Sequence, residues 1–242
     1  MRKVSVVWGA QGLSSSQSCP VAVIIDVLSF STAVDAACSA GAVVYPFRWR
    51  DERAASFAKE QRARLAVQRQ DASRGEPSLS PSSLIGLREG EKLVLPSPNG
   101  STLSAGADAN WIVAGCLRNS AAVADFILSH THGDIALVAA GERWPDGSLR
   151  PALEDWLGAG AIASTLQQLL LSPDAKAAVA AFREAEPALS GRLRACASGQ
   201  ELIDKGFGGD VAFASALNAS VCVPLIRSGR YECAALKTDF AS

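Results

Sequence analysis

The sequence has few of the residues that thiolate and histidine chemistry require. Its 242 residues include only two histidines, His130 and His132, and no two of its six cysteines form a Cys-x-x-Cys pair. This spacing excludes a zinc-finger type of metal site. Because neither histidine lies near a cysteine in sequence, no cysteine has an evident base that would activate it. We therefore interpret the cysteines as small residues of the core.

The chain also lacks a charge excess and a long apolar run. Its net charge is −1 and charges of both signs are scattered, so no basic face is evident that could neutralise nucleic acid or an anionic membrane surface. The apolar run within Met1–Trp8 is too short for the core of a signal peptide, and no later run reaches membrane-spanning length without charge. We expect no nucleic-acid or membrane partner and a cytoplasmic location.

The chain is rich in small aliphatic residues, since 48% of its residues are hydrophobic but only 6% are aromatic. Alanine, valine and leucine are typical of buried parallel strands and of the helices that cover them. Apolar runs bounded by turn residues predict strands at Val4–Trp8, Val21–Asp26, Val43–Phe47, Lys92–Leu95, Trp111–Ala114, Ile135–Ala139 and Val221–Leu225. Helical patterns occur at Ser31–Ala40, Asp51–Gln61, Leu103–Ala107, Asn119–His130 and Pro151–Leu171.

This alternation of strands and helices predicts an α/β fold with a largely parallel sheet. We expect a single domain over residues 1–242. Between Gln70 and Gly90 the chain is rich in Ser, Pro and Gly, which predicts a long loop of the kind that often carries function. Residues 172–218 are alanine-rich and helical in pattern, with a glycine break at 206–209. The apolar helices leave room for a homodimer.

In open α/β sheets the ligand lies beyond the carboxyl ends of the strands, so polar residues that directly follow a strand are the first candidates. Asp26 ends the apolar run that begins at Val21. Ser31 and Thr32 follow at the start of a helix, where free amides and hydroxyls bind anions. The alternative, that these hydroxyls only cap the helix, is compatible with anion binding.

A second candidate segment, Pro96-Ser97-Pro98-Asn99-Gly100-Ser101-Thr102, follows the strand that ends at Leu95. Gly100 would let backbone amides approach an oxyanion closely, while Ser101 and Thr102 would add hydroxyl donors. The segment lacks the lysine of a phosphate-binding P-loop, so an ordinary turn is the alternative.

The third segment carries acidic residues. Glu142 and Arg143 follow the strand that ends at Ala139, and Glu154 and Asp155 stand in the first turn of a helix. Acids at a helix start are usually partners of the helix dipole, worth about 0.3–1 kcal/mol each. In the same helix, Gly158 and Gly160 would allow a close approach to another backbone.

Together these acids predict a metal site. Asp26, Glu142, Glu154 and Asp155, with Asp210 as a further candidate, would form an oxygen-rich cluster without soft ligands, which suits Mg²⁺ rather than zinc. Such a metal neutralises phosphate oxygens and orients water, and Arg143 or Arg118 could hold the remaining charge. The spacing leaves open whether water or a carboxylate attacks the phosphorus.

At these residues the sequence resembles the 2-phosphosulfolactate phosphatase family, whose members release phosphate from phosphosulfolactate with Mg²⁺ in coenzyme M biosynthesis. The matching elements are Val23–Leu28, Asn99-Gly100-Ser101, Asn119-Ser120, Ala140-Gly141-Glu142, Leu153-Glu154-Asp155, Gly158–Ala161 and Gly206 with Asp210 ahead of Val223-Pro224. The resemblance implies a three-layer α/β/α architecture with a mixed sheet and a phosphoric monoester hydrolase that converts 2-phosphosulfolactate to sulfolactate and phosphate.

The resemblance places the metal and substrate site on the same acidic cluster that the residues themselves indicate. The catalytic candidates are Asp26, Glu142 and Asp155, with Asp26, Glu142, Glu154, Asp155 and Asp210 around the Mg²⁺. The candidates for binding a small anionic phosphorylated substrate are Ser29, Ser31, Thr32, Asn99, Gly100, Ser101, Thr102, Asn119 and Arg143.

Two departures keep other functions open. Family members typically carry Arg where this chain has Ser29, and they have a different loop at Gly75–Pro81; both positions look substrate-facing. Ser cannot replace a bidentate guanidinium, so one alternative is an anion-binding protein with altered specificity or without turnover. In another alternative the acidic cluster is structural and pairs with Arg143 and Arg150, while the activity lies in the Ser/Pro-rich loop.

Overall fold

Ten of the strands form one mixed sheet in the computed structural model, which describes residues 1–73 and 75–234. The strands are β1 (Lys3–Trp8), β2 (Val21–Ile25), β3 (Val43–Phe47), β4 (Arg64–Leu65), β5 (Lys92–Pro96), β6 (Trp111–Gly115), β7 (Ile135–Ala139), β8 (Glu142–Arg143), β9 (Leu149–Arg150), β10 (Leu170–Leu171), β11 (Pro224–Arg227) and β12 (Arg230–Cys233). The helices are α1 (Gly9–Ser15), α2 (Phe30–Ser39), α3 (Glu52–Gln61), α4 (Gly100–Gly106), α5 (Ser120–His130), α6 (Leu153–Thr165), α7 (Pro173–Ala185), α8 (Leu189–Ala195), α9 (Ala197–Asp204) and α10 (Gly208–Ala214).

The strand order in the sheet is β10-β1-β7-β2-β6-β11-β12-β3-β5-β4. All neighbours are parallel except around the hairpin of β11 and β12, which is antiparallel within itself, to β6 on one side and to β3 on the other. The sheet therefore consists of two parallel parts joined by an antiparallel hairpin. Strands β8 and β9 form a separate small hairpin after β7.

Helices cover both faces of the sheet. Along β2, Val21, Val23 and Ile25 pack into the apolar cluster that includes α5, α6 and α7, whereas Ala22 and Ile24 pack with Leu13 of α1 and Leu103 of α4. This alternation is the period-two pattern of a strand buried on both faces. On β5, likewise, Leu93 and Leu95 face α2 and Val94 faces α3. The predicted α/β class, the three layers and the largely parallel sheet are confirmed.

The glycines of α6 allow this helix to lie against α7. A Cβ placed on Gly160 would come within 2.1 Å of the carbonyl oxygen of Ala178, and one on Gly158 within 2.8 Å of Val27 Cγ2. The predicted close approach to another backbone is therefore present at Gly160, against α7, whereas Gly158 lies against the side chains of Ile25 and Val27.

Three predicted elements were wrong in extent. The helix predicted at Leu103–Ala107 begins at Gly100 and ends at Gly106. The helix predicted at Pro151–Leu171 ends at Thr165, and Leu170–Leu171 instead pairs with the edge of β1. The strand predicted at Val221–Leu225 begins only at Pro224, because a two-residue turn with positive φ at Ser228 and Gly229 sets the register of the hairpin with β12. The long loop at 70–90 contains only short 3₁₀ turns among its described residues, and 172–218 is helical as predicted. The predicted domain, 1–242, includes Arg74 and residues 235–242, which lie outside the described residues, and its extent stays a prediction.

The interpretation of all six cysteines as core residues was wrong for two of them. Cys38, Cys116, Cys196 and Cys222 are buried, but Cys19 is half-buried and Cys233 is exposed. Cys233 lies at the end of β12, near the edge of the packed core. The neighbouring Cys222 thiol acts as a hydrogen-bond donor and lowers the pKa of Cys233 to about 7.

We expect Cys233 to be the most readily alkylated thiol of the described residues. The thiolate is the reacting form, so the alkylation rate should rise as the pH increases through about 7 and level off above it. Mass spectrometry after brief iodoacetamide treatment at several pH values measures this rate, with Cys233→Ser as the control. Equal labelling of Cys116, whose pKa burial raises to about 12, would contradict the prediction.

Candidate active site

Asp26 directly follows β2 and connects two loops at the carboxyl edge of the sheet. Its Oδ1 accepts a hydrogen bond from the amide of Phe30 at 3.0 Å, and its Oδ2 accepts one from the amide of Gly100 at 2.8 Å. A Cβ on Gly100 would lie 2.2 Å from the Phe30 ring and 2.8 Å from this carboxylate. Only glycine therefore lets the loop after β5 reach Asp26.

Asp155, in the first turn of α6, occupies an equivalent position between two other loops. Its Oδ1 accepts from the amide of Val27 at 2.7 Å, and its Oδ2 accepts from the amide of Gly141 at 2.8 Å. The carboxylate thus ties α6 to the residues that follow β2 and β7. An ionised carboxylate has about four lone-pair positions, so the oxygens of Asp155 retain acceptor capacity beyond these two hydrogen bonds.

Glu142 and Glu154 complete the acidic group. Oε2 of Glu142 accepts a hydrogen bond from Nδ2 of Asn99 at 2.9 Å, and Glu142 is only partly buried. Oε2 of Glu154 accepts from the Cys196 thiol at 3.2 Å. The structure therefore brings Asp26, Glu142, Glu154 and Asp155 to one edge of the sheet, as the sequence predicted.

No ion pair among the described residues neutralises the charge of this group. Asp26, Glu154 and Asp155 are only 5%, 2% and 3% exposed, and no Lys or Arg of residues 1–73 and 75–234 forms an ion pair with them or with Glu142. Burial, with the neighbouring Glu154 and Asp26, raises the pKa of Asp155 well above its usual range. Burial also raises the pKa of Asp26 and, with the charge of Asp26, raises the pKa of Glu142 to about 7. Such a group requires protons or a cation.

The donor set is compatible with a hard cation, but not with a cage of protein ligands. Within the described part of the chain, no three Asp, Glu, His or Cys side chains are placed so that they could hold a metal ion together. Mg²⁺ is usually bound through one or two carboxylates, with water and substrate phosphate as the other ligands. The carboxylates of the acidic group fit a site of this kind, in which water and substrate phosphate complete the coordination.

Several of the polar groups predicted to bind substrate already contact the backbone. Ser31 Oγ accepts from the amide of Asp26 at 2.8 Å, Thr32 donates to the Val27 carbonyl at 2.7 Å, and Ser101 donates to the Leu95 carbonyl at 2.8 Å. The Asn119 side chain is fully buried and binds the backbone of Ala114, Cys116 and Cys222. These four side chains shape the loops, whereas Asn99 and Thr102 line a cavity with Glu142.

Comparison with known proteins identifies the family to which the chain belongs. A family model described as 2-phosphosulpholactate phosphatase matches residues 10–229. The chain belongs to this family. A probable 2-phosphosulfolactate phosphatase of Carboxydothermus hydrogenoformans is 30% identical over 234 residues, or 92% of each chain. A protein of the same description from Thermotoga maritima is 29% identical over 220 residues, covering 89% of this chain and 92% of its own.

Membership of the 2-phosphosulpholactate phosphatase family confirms the resemblance and the predicted class of enzyme, a phosphatase acting on a phosphate monoester. The match includes the loops that carry Asp26, Asn99, Glu142 and Asp155. The acidic edge of the sheet is therefore the candidate active site of a phosphatase.

Ser29, where the resemblance implies an arginine, is contacted by an arginine from elsewhere in the chain. Arg69 donates a hydrogen bond from Nη2 to Ser29 Oγ and another to the Leu79 carbonyl, while its Nε donates to Asp210 Oδ2 at 3.0 Å. A guanidinium is thus present beside Ser29 after all. Asp210 is occupied by this ion pair and by Ser80, whose hydroxyl donates to its Oδ1 at 2.5 Å.

The other arginines that the sequence singled out have partners outside the acidic group. Arg118 pairs with Asp35 at 3.1 Å, and Arg143 donates to the Gly147 carbonyl at 3.0 Å. Arg150 pairs with Glu201 at 2.8 Å. These contacts do not support the alternative in which the acidic group is structural and pairs with Arg143 and Arg150.

Two cavities lie beside the candidate active site. One, of about 390 Å³, is lined by residues that include Asn99, Thr102, Glu142 and Arg143. The other, of about 440 Å³, is lined by residues that include Arg50 and Arg69. Neither lining includes Asp26, Glu154 or Asp155, which lie beneath the loops, so Glu142 is the acid that a ligand reaches first. Sequence reasoning missed both arginines. Arg50 lies three residues after β3, as Glu142 does after β7, so the same rule could have found it, whereas Arg69 belongs to no motif.

None of the helices in the described residues is long and apolar enough to cross a membrane.

Proposed function

We propose that this protein hydrolyses the phosphate ester of 2-phosphosulfolactate to sulfolactate and phosphate, with Mg²⁺ as cofactor. The observation that carries the proposal is the group of four carboxylates at the carboxyl edge of the sheet, which no ion pair of the described residues neutralises. Family membership and the names of the relatives support the substrate.

Asp26 and Glu142 are the residues that would hold the cation, because they lie on either side of the Asn99–Gly100 loop and both hydrogen-bond to it. Glu154 and Asp155 add negative charge behind them. When bound, Mg²⁺ would offset the charge of these carboxylates and of the phosphate oxygens and would acidify a water molecule. Asp210, which the sequence also suggested as a ligand, is instead paired with Arg69 and accepts a hydrogen bond from Ser80.

Glu142 is the residue best placed to move a proton. Asn99 fixes its Oε2, and its Oε1 has no hydrogen-bond partner among the described residues. In the protein without a bound cation, burial and the charge of Asp26 raise the pKa of this carboxyl group to about 7. Its free oxygen could exchange a proton with the water or the departing alkoxide. Asn99 and Thr102 would orient the ester in the adjoining cavity, and Arg143 would meet its remaining charge.

Phosphate release from 2-phosphosulfolactate, with and without Mg²⁺, tests the activity directly. We expect release only in the presence of the metal. 2-Phosphoglycerate and 2-phospholactate serve as comparison esters. Absence of release from every ester with Mg²⁺ present would overturn the proposed activity.

One observation favours the alternative of an anion-binding protein without turnover. Both oxygens of Asp26 and of Asp155 accept hydrogen bonds from backbone amides. Stabilisation of these loops is therefore sufficient to explain the presence of two of the four acids. Calorimetric binding of 2-phosphosulfolactate without phosphate release over hours would support that alternative.

Mg²⁺ is expected to stabilise the fold. Removal of the unbalanced charge at the acidic group would raise the free energy of unfolding, by about 2.7 kcal/mol at a hundredfold excess of Mg²⁺ over its Kd. For a chain of this length this corresponds to a rise in Tm of roughly 5–10 °C. Differential scanning calorimetry in Mg²⁺ and in EDTA measures the shift.

The control for this stabilisation is Asp174→Asn, which removes an exposed acid at the start of α7 and should retain the full shift. Asp26→Asn should reduce it. An unchanged Tm in millimolar Mg²⁺ would argue against a metal at the acidic group.

The predicted cytoplasmic location, the absence of a nucleic-acid partner and a homodimer are compatible with this proposal and stay predictions.

A further inference from the structure

The larger cavity beside the active site has a positively charged wall. Its volume is about 440 Å³, and Arg50, Arg69 and Lys205 contribute to its lining. Two acids, Asp51 and Asp71, also line it; Asp51 is occupied by hydrogen bonds from Arg53. Gln68 and Gln70 also line it, and apolar side chains supply most of the rest of the wall, including Leu65, Leu79 and Phe207. A small cavity with an apolar body and a few convergent cations is typical of a site for an anionic ligand.

Arg50 and Lys205 are the cations of this wall without a partner: neither makes a side-chain hydrogen bond or an ion pair within residues 1–73 and 75–234. Arg50 is the one whose surroundings include the acidic group. The residue as a whole is exposed, yet desolvation of its guanidinium is the largest cause that lowers the pKa of Arg50, followed by the charge of Arg69. Asp26 and Glu142 lie close enough to act on it in the opposite direction. Arg50 therefore stands between the cavity and the acidic group.

Arg69 is held rigidly beside Arg50. Contacts with Ser29, Leu79 and Asp210 fix its guanidinium, which is only 17% exposed. Its face lies 5.9 Å from the centre of the Phe207 ring. Because Asp210 already balances the charge of Arg69, an anion in the cavity would be bound mainly by Arg50, with Arg69 shaping the wall. The positive charges of Arg50 and Arg69 repel each other, and an anion bound between the two guanidinium groups would offset this repulsion.

We propose that Arg50 binds the sulfonate of the substrate in this cavity, while the phosphate ester lies at Glu142 and Asn99. The inference rests on the proposed function. In 2-phosphosulfolactate the carboxylate is on the ester carbon itself, whereas the sulfonate is one carbon farther away. The sulfonate is thus the group that can extend from the acidic edge into a separate cavity. A guanidinium presents paired N–H donors to such an oxyanion.

Substrates that differ in one group test this assignment. 2-Phospholactate has the same phosphate and carboxylate but no sulfonate. In the Arg50→Gln variant we expect kcat/KM for 2-phosphosulfolactate to fall by roughly tenfold to a hundredfold, the value of one charged hydrogen-bonded contact. The value for 2-phospholactate should fall much less, so the preference of the enzyme for the sulfonated ester should collapse. Arg50→Lys should restore part of this preference.

Arg48→Gln is the matched control, since Arg48 is exposed two residues away, does not line the cavity and contacts Trp49. It should keep the preference. An equal fall for both esters in Arg50→Gln, no fall for either, or the same collapse in Arg48→Gln would each overturn the inference.

Binding of sulfolactate separates this inference from the proposed activity. Sulfolactate has no phosphate to lose, so its affinity, measured by calorimetry, does not depend on turnover. If no ester is hydrolysed but sulfolactate binds to the wild type and at least tenfold more weakly to Arg50→Gln, only the proposed activity fails. If the esters are hydrolysed but sulfolactate binds equally to both, only the role of Arg50 fails.

Discussion

The Glu142→Gln variant is expected to lose roughly 10²–10⁴-fold in kcat for release of phosphate. Glutamine has the same length, and its carbonyl oxygen can still accept the hydrogen bond from Asn99 Nδ2, which spans 2.9 Å in the wild type. What it cannot do is exchange a proton or contribute charge to a cation site. The loss should appear in kcat, since the proton is transferred in the transition state. Phosphate release under saturating substrate and Mg²⁺ measures it.

Protein stability provides the internal check on this variant. The substitution removes one of four clustered negative charges, so the Tm of the metal-free protein should stay the same or rise. Glu186→Gln, at an exposed position far along the chain, is the control that should keep full activity. A Glu142→Gln enzyme with wild-type kcat and wild-type Mg²⁺ affinity would refute both roles proposed for this residue.

Gly160→Ala is expected to destabilise the fold by about 3 kcal/mol, at the upper end of the cost of overpacking a core. The new methyl group would lie 2.1 Å from the carbonyl oxygen and 2.7 Å from the carbonyl carbon of Ala178, and 2.8 Å from Phe182 Cβ. The first two atoms are backbone, so α6 and α7 must separate rather than let a side chain rotate. Urea unfolding followed by circular dichroism measures the change.

Gly191→Ala is the matched control for this substitution. Gly191 also lies within a helix, α8, but it is exposed, and a methyl group added there would have nothing within 4 Å. There alanine should stabilise the protein by about 0.5–1 kcal/mol through its higher helix propensity. Similar effects of the two substitutions would mean that the helix contact at Gly160 is not tight.

The parts of the fold that the sequence predicted well are those where pattern and burial agree. Val21–Ile25 and Ile135–Ala139 are uniformly apolar runs between turn residues, and both are central strands. Arg230–Cys233 was missed because its polar side chains give no apolar run; its pairing depends on the turn before it. Leu170–Leu171 was assigned to a helix because a short apolar run does not distinguish the two structures.

The candidate site could be predicted where chemistry follows directly from a strand end. Asp26 and Glu142 were found in this way, and the structure brings them together. Arg50 was overlooked although it lies three residues after β3, the spacing at which Glu142 follows β7. Arg69 could not be found, because it lies in an irregular segment whose path is set by tertiary contacts such as that with Asp210. The sequence likewise did not indicate that the hydroxyl groups of Ser31 and Thr32 would form hydrogen bonds with the backbone of Asp26 and Val27.

The antiparallel hairpin of β11 and β12 has a consequence for biosynthesis. Among the described residues it is the last part of the sheet to leave the ribosome, yet it joins the parallel part that ends at β6 to the part that begins at β3. Until it is synthesised, β6 and β3 both present an open edge of unpaired amides and carbonyls, a state prone to aggregation. Nascent chains that stall before Pro224 are thus the ones most in need of a chaperone.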